Sequence, residues 1–179
     1  VALAVRHKLF DFGLLKSETF DIPVICVGNL RVGGTGKTPM TDFLISRLAR
    51  RYNIAVVSRG YMRKTKGFVL ATKESTSAEI GDEPKLLKQR YPDQVVAVCE
   101  KRAEGIRKVR ELFPKTNLII LDDAFQHRYV NASVEILLTE YKSPFHKDRL
   151  LPAGRLRDLK SQAKRANFII VTKVPGDVK

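Results

Sequence analysis

The stretch Val24–Thr38, VICVGNLRVGGTGKT, decides how the rest of the chain is read. It opens with β-formers, Val24–Val27, between Pro23 and Gly28. It passes into a glycine-rich loop, Gly33–Gly36, closed by Lys37 and Thr38. A helical pattern follows, with Phe43, Leu44, Leu48 and Ala49 on one side. Strand, glycine loop, Lys-Thr and helix, in that order, are the parts of a phosphate-binding loop. Glycines at 33, 34 and 36, with Thr35 between them, let backbone N–H groups turn toward an anion without a Cβ in the way. The helix N-terminus adds partial positive charge. Lys37 is expected to reach the β/γ-phosphates of a nucleotide and Thr38 to ligate Mg²⁺. The pattern G-x-x-x-x-G-K-[ST] asks for Gly where this chain has Arg31, with Gly28 and Gly33 to either side. A loop kept only as scaffold is the alternative.

Outward from this stretch, composition bounds the partners. The chain has 179 residues, enough for one substantial domain, and a formal net charge of +14. That excess points to a polyanion: nucleic acid, an anionic membrane surface or a phosphorylated substrate. The two cysteines, Cys26 and Cys99, sit at or near the ends of apolar runs and read as core thiols in a reducing, cytoplasmic setting. No apolar run approaches a bilayer-spanning length, and no signal peptide is evident. The first residue is Val, which suits a fragment or a processed chain. Val1–Lys16 combines apolar residues with Arg6, His7, Lys8 and Lys16. It reads equally as an interfacial segment on anionic lipid or as a helix packed on the core.

Beyond the first helix, Asn53–Ser58 is a buried strand running into the basic loop Arg59–Lys66, where Arg59, Arg63 and Lys64 stand beside a ligand crevice. Gly67–Thr72 is a short strand and Lys73–Glu79 a loop. Gly81-Asp82-Glu83-Pro84 opens another helix. From the residues alone Asp82 and Glu83 suit capping and the helix dipole, though paired carboxylates there could also serve as a base or a metal contact. Gln94–Val98 is a strand and Glu100–Phe113 a helix with Ile106, Val109, Leu112 and Phe113 on one face; Arg102, Arg107 and Arg110 are expected in solvent. Asn117–Leu121 then ends in Asp122-Asp123, an apolar strand delivering carboxylates toward Mg²⁺. Gln126 and His127 follow in the next loop. Ser133–Thr139, a basic helix near Leu159–Arg165 and a buried strand Asn167–Thr172 complete the alternation. Strands this apolar, alternating with helices, predict an α/β fold: a P-loop NTPase-like, mostly parallel sheet with helices on both faces.

Five stretches together carry a resemblance: GNLRVGGTGKTP (28–39), SRGYMR (58–63), GDEP (81–84), LDDAFQH (121–127) and LLPAGRLRD (150–158). The chain resembles the tetraacyldisaccharide 4′-kinase family, the lipid A biosynthetic kinases of Gram-negative bacteria, from about Phe10 onward. That family's loop also lacks the first glycine, so Arg31 becomes a family mark. The resemblance implies ATP and Mg²⁺ as cofactors and an anionic glycolipid as acceptor, phosphorylated on its 4′-hydroxyl at the cytoplasmic face of the inner membrane. The enzyme would be peripheral or anchored by its N-terminal segment, on an anionic membrane surface. The resemblance also implies residue roles. Asp82 is the catalytic base, overruling the cap, with Glu83 beside it. Lys37, Asp123 and His127 are catalytic; Thr38, Asp122 and Asp123 hold the metal. Arg59, Arg63, Glu83, Arg102, Gln126 and Arg157 contact substrate. The family usually has Gly at Ala124 and Met62, Glu at Asp158 and Pro at Arg155; the added Cβ of Ala124 could crowd the loop.

The implied organisation is an N-terminal, membrane-associated segment, 1–20, and a kinase core, 21–179. The family's second domain, which supplies a His to the base, falls beyond Lys179. This chain is therefore expected to bind ATP without catalysing by itself. Two other classes compete. Thr172-Lys173-Val174-Pro175 suggests a guanine-reading T-K-x-D of a GTPase switch, but Pro175 replaces the carboxylate. A nucleic-acid-associated ATPase would use the positive charge, but the cations lack interleaved aromatics, so no nucleic acid is expected.

Overall fold

The computed structural model describes residues 2–176. Val1 of the N-terminal segment and residues 177–179 of the proposed core lie outside the described residues. Seven strands form one sheet: β1 (Val24–Asn29), β2 (Ile54–Ser58), β3 (Val69–Leu70), β4 (Val95–Val98), β5 (Leu118–Asp122), β6 (Val134–Glu140) and β7 (Phe168–Thr172). Their spatial order is β3-β4-β2-β5-β1-β6-β7. All neighbours are parallel except the short edge pair β3–β4. The helices are α1 (Ala2–Asp11), α2 (Lys37–Leu48), α3 (Ser77–Ile80), α4 (Asp82–Arg90) and α5 (Arg102–Leu112), with 3₁₀ segments at Phe145–Lys147 and Lys160–Arg165.

The apolar runs make a sheet buried on both faces because successive side chains alternate. Val27, Val56 and Ile120 face one core with Ile45 of α2 and Leu87 of α4. Cys26, Val57, Ile119 and Leu121 face another with Ile106 and Val109 of α5. Both cysteines are buried and free, as expected of core thiols. A smaller cluster, Leu30, Phe125, Leu137 and Leu156, packs the loops after β1 and β5 together. Ala124 joins the core at ordinary backbone geometry, so its Cβ is accommodated.

Several local expectations are corrected. Phe43 is exposed beneath Arg47, while Thr41 and Ile45 are the buried residues of α2. Residues 77–80 are a short helix, not loop, because the Glu79 carboxylate accepts the Thr76 N–H at 2.7 Å. β7 is an edge strand rather than a buried one, with Phe168, Ile169 and Val171 exposed. α1 packs through His7 and Phe10, Phe10 meeting Tyr129 edge-on at 5.0 Å, yet it leaves Val5 exposed, as are Phe12 and Leu14 just after it. No helix among the described residues is long and apolar enough to cross a membrane.

Candidate active site

The glycine loop leaves the C-terminal end of β1, between β5 and β6 in the sheet, where parallel α/β folds bind ligands. Gly36 takes a left-handed φ of 88°, which lets the chain turn into α2. No side chain caps that helix, so its first amides remain available to an anion. The loop is held from behind. Asn29 Nδ2 donates to Thr35 Oγ1 at 2.6 Å, and the Thr172 hydroxyl donates to the Thr35 carbonyl at 2.9 Å. Thr172 and Lys173, which pairs with Glu140, are thus committed to the glycine loop and its neighbouring strand rather than arranged to read a base. Arg31 does not interfere where the missing glycine would stand. Its side chain is buried, donates to Ser143 O at 2.6 Å and lies near Glu140 and Asp148, bracing the loop from outside. Gly33, Gly34, Gly36, Lys37 and Thr38 line the resulting cleft.

Asp122 ends β5, fully buried. Its Oδ1 accepts the Thr41 hydroxyl at 3.0 Å and its Oδ2 has no partner. Burial, then the charges of Glu83 and Asp123, push its carboxyl up to about 7. An orphaned buried carboxylate oxygen fits a cation. Mg²⁺ suits such a place, since it takes one or two carboxylates and completes its shell with phosphate oxygens and water. Asp123 follows at a φ of 49°. It accepts from both Arg157 terminal nitrogens, one at 3.1 Å, and lies 3.9 Å from Lys37 Nζ. Burial would raise its carboxyl, but the Arg157 hydrogen bond and the charges of Arg157, Lys37 and Arg102 outweigh this and hold it low. Arg157 also donates to Asn29 Oδ1 at 2.7 Å, so strand end, loop and cation form one network.

A second cavity of about 450 Å³ meets the first at Tyr61, Glu83, Asp123 and Arg157. Arg6, Arg59, Arg102, Gln126 and His127 line the rest of it. Arg102, expected in solvent, is only 3 % exposed. It donates to Cys99 O at 3.0 Å, and burial lowers it to about 10 against the pull of Asp123 and Asp122. Burial, then repulsion by Arg102, Arg6 and Arg59, holds His127 down at about 4. Gln126 Nε2 reaches Asn29 O at 2.5 Å, closing the loop over β1.

The structure thus gathers Lys37, Thr38, Asp122, Asp123, Glu83, Arg59, Arg102, Gln126, His127 and Arg157 around joined cavities. Arg63 is not among them: it is spent on Glu100 and Gly67 O, both at 2.6 Å. Asp82 is exposed in the first turn of α4, and it is Glu83 that lines both cavities. Neither carboxylate makes a capping hydrogen bond; Gly81 occupies the cap. Sequence reading missed Asn29, Thr41, Tyr61 and Arg6. Polar Asn29 at the end of an apolar strand was the available signal for the first; nothing local marks Arg6, which arrives from α1.

Sheet order, glycine loop and strand-end carboxylates define a P-loop NTPase-like protein. Residues 1–178 match the family model described as tetraacyldisaccharide-1-P 4′-kinase, and the chain belongs to that family. It is 54% identical over 174 residues to a tetraacyldisaccharide 4′-kinase of Cytophaga hutchinsonii, covering 97% of this chain and 50% of the relative. It is 52% identical over 178 residues to one of Bacteroides fragilis, covering 99% and 47%. The chain spans about half the length of the curated relatives it matches. The crystal structure of the "apo" form of LpxK from Aquifex aeolicus in complex with ATP matches with a TM-score of 0.88 at 38% identity, over 96% of this chain and 55% of that one.

Proposed function

We propose that this chain is the nucleotide-binding part of an ATP-dependent kinase that phosphorylates the 4′-hydroxyl of a tetraacyldisaccharide 1-phosphate. The observation that carries the reading is Asp123, which stands where the two cavities join, between Lys37 on the glycine-loop side and Arg157. ATP in the glycine loop directs its γ-phosphate toward this junction, and the acceptor sugar enters from the basic cavity. Lys37 and Arg157 offset charge on the phosphoryl group in transit, positioning and electrostatics being the main resources of such reactions. Thr38, Asp122 and Asp123 are the residues that would hold Mg²⁺, which neutralises phosphate charge when bound. A carboxylate at the start of α4 takes or orients the hydroxyl proton. Asp82 carries this role by resemblance; Glu83 has the supporting geometry. The exposed Val5, Phe12 and Leu14, with the exposed Lys8 and Lys16, suit peripheral contact of segment 1–20 with an anionic membrane surface, the cytoplasmic face of the inner membrane, ahead of the core 21–179.

The test is phosphoryl transfer from γ-labelled ATP to tetraacyldisaccharide 1-phosphate by the full-length protein. Lys37→Ala should lose transfer and weaken ATP binding. Asp82→Ala should reduce turnover with ATP affinity nearly intact. Unchanged turnover in Asp82→Ala, with loss in Glu83→Ala, would move the base to Glu83. Equal use of GTP, or stimulation by oligonucleotides in place of the glycolipid, would overturn the reading.

A further inference from the structure

We infer that Arg165, steadied by Glu135, is a positioning residue for the loop 123–127, the segment that presents Asp123 to the joined cavities. Arg165 ends the 3₁₀ segment Lys160–Arg165. Its guanidinium holds one residue in two ways. Nη2 donates to Phe125 O, and the planar group lies over the Phe125 ring at 4.4 Å. Phe125 is 1 % exposed, and no backbone N–H reaches its carbonyl among the described residues. Without Arg165 that carbonyl would be buried with no partner, which disfavours this loop conformation. From the other side, Gly28 already meets the Phe125 backbone. Phe125 is therefore held between β1 and Arg165, with Asp123 two positions earlier. The chain just before the 3₁₀ segment grips the same loop at its other end, since Arg157 donates to both oxygens of Asp123.

The far side of the guanidinium accounts for an acid that the sheet alone does not. Glu135 stands in β6 opposite Cys26 of β1, among core residues. Its Oε1 lies 3.4 Å from Arg165 Nη1, while Glu135 Oε2 and Arg165 Nε are buried without partners. Burial raises the Glu135 carboxyl and lowers Arg165, against their mutual attraction. Such a pair adds little to stability, because desolvating both charges offsets the attraction. What it supplies is direction: a carboxylate on a rigid strand turns the guanidinium fork toward Phe125 O. Asn167, at the start of β7, fixes Glu135 in turn. Its Oδ1 accepts the Glu135 N–H at 2.7 Å, and its own N–H donates to Glu135 O at 2.9 Å. Neither Glu135 nor Arg165 lines either cavity, so both act through the loop and not on substrate.

The catalytic consequence rests on the proposed function; the placing of the loop does not. Both are measured on the full-length protein, by hydrogen exchange and by steady-state transfer from γ-labelled ATP to tetraacyldisaccharide 1-phosphate. Arg165→Met keeps an unbranched chain over Phe125 and removes the donor. It should speed exchange at amides 124–127 about tenfold and leave β1 and β6 unchanged. Its kcat should fall about tenfold. The KM for ATP should stay within about twofold of the parent, because Asn29 and Thr172 hold the glycine loop independently. Arg165→Lys, which keeps a cationic donor, should recover most of kcat. If Arg165→Met does not fold, Glu135→Gln carries the comparison, with the same local exchange and a kcat loss of about threefold. Unchanged kcat in the variant that carries the test overturns the inference. So does a loss accompanied by faster exchange throughout the sheet, or one that Arg165→Lys does not recover, either of which leaves Arg165 a structural residue only. Faster loop exchange in Arg165→Met, from a parent that phosphorylates no glycolipid, would sink the kinase reading alone. Intact transfer with loop exchange unmoved would sink this one alone.

Discussion

His7 and Asp158 form a buried pair, Nε2 to Oδ1 at 2.6 Å, that ties α1 to the residue beside Arg157. Arg128 Nη1 lies 3.2 Å from His7 Nδ1 and also donates to His7 O at 3.1 Å. Arginine can only donate, so Nδ1 accepts and Nε2 carries the proton given to Asp158. Asp158 Oδ1 also accepts the Leu159 N–H at 2.8 Å. Removing the imidazole leaves a carboxylate buried without its main partner. His7→Ala should therefore cost about 3 kcal/mol of unfolding free energy in urea titrations. His7→Gln, which can still donate, should restore part of it. A loss below about 0.5 kcal/mol would mean water replaces the ring.

Gly28 meets the Phe125 backbone so closely that an added Cβ would sit 2.6 Å from Phe125 Cβ and 2.8 Å from its nitrogen. Backbone cannot yield as a flexible side chain can. Gly28→Ala should push the 123–127 loop away from β1, costing about 2 kcal/mol in stability. Asp123 lies on that loop, so turnover should fall further than stability alone accounts for. Steady-state kinetics at a temperature where the variant remains folded would detect this.

How far the chain could be read without coordinates depends on the kind of signal. β1 and β5 are legible because an apolar run ends abruptly in polar residues, Asn29 and Asp122. The parallel sheet follows from their alternation with helices. β7 misleads because Phe168–Val171 is as apolar as a central strand, and only the sheet order makes it an edge. Arg63 misleads for another reason: its sequence neighbours are cations, while its partner Glu100 is 37 positions away. Arg102 is buried because α5 starts against Asp123, a tertiary relation with no local signature. In the site, Lys37, Thr38, Asp122 and Asp123 line the cavities as their motifs suggest, whereas Arg63 and Asp82, also within motifs, do not.

Met62 sits at a φ of 59° with its side chain 80 % exposed, so it bears left-handed strain with little burial to offset it. Met62→Gly should remove a cost of about 1 kcal/mol, less the added freedom of the unfolded chain. The variant should melt at or above the parent temperature. A clear fall would show that the methionine side chain packs in solution.

His127 should leave an acid signature in stability. Its folded value of about 4 lies below the ordinary 6.5, because burial and the charges of Arg102, Arg6 and Arg59 oppose protonation, with Tyr129 beside the ring and Glu100 lining the same cavity. The unfolded chain therefore takes up the proton first. This stabilisation is fully present above about pH 6.5, falls as pH drops, and is exhausted near pH 4. Asp122 works in the opposite direction. Its folded value is raised to about 7, so its contribution is present at low pH and lost as pH rises through 7. The two overlap, so the pH profile of the parent alone would hide both. The difference between parent and His127→Gln isolates the histidine. It should grow in the parent's favour from pH 4 to 6.5 by up to about 3 kcal/mol, measured by urea unfolding at each pH. A flat difference would mean that solvent or a counter-ion already screens His127 from the three arginines.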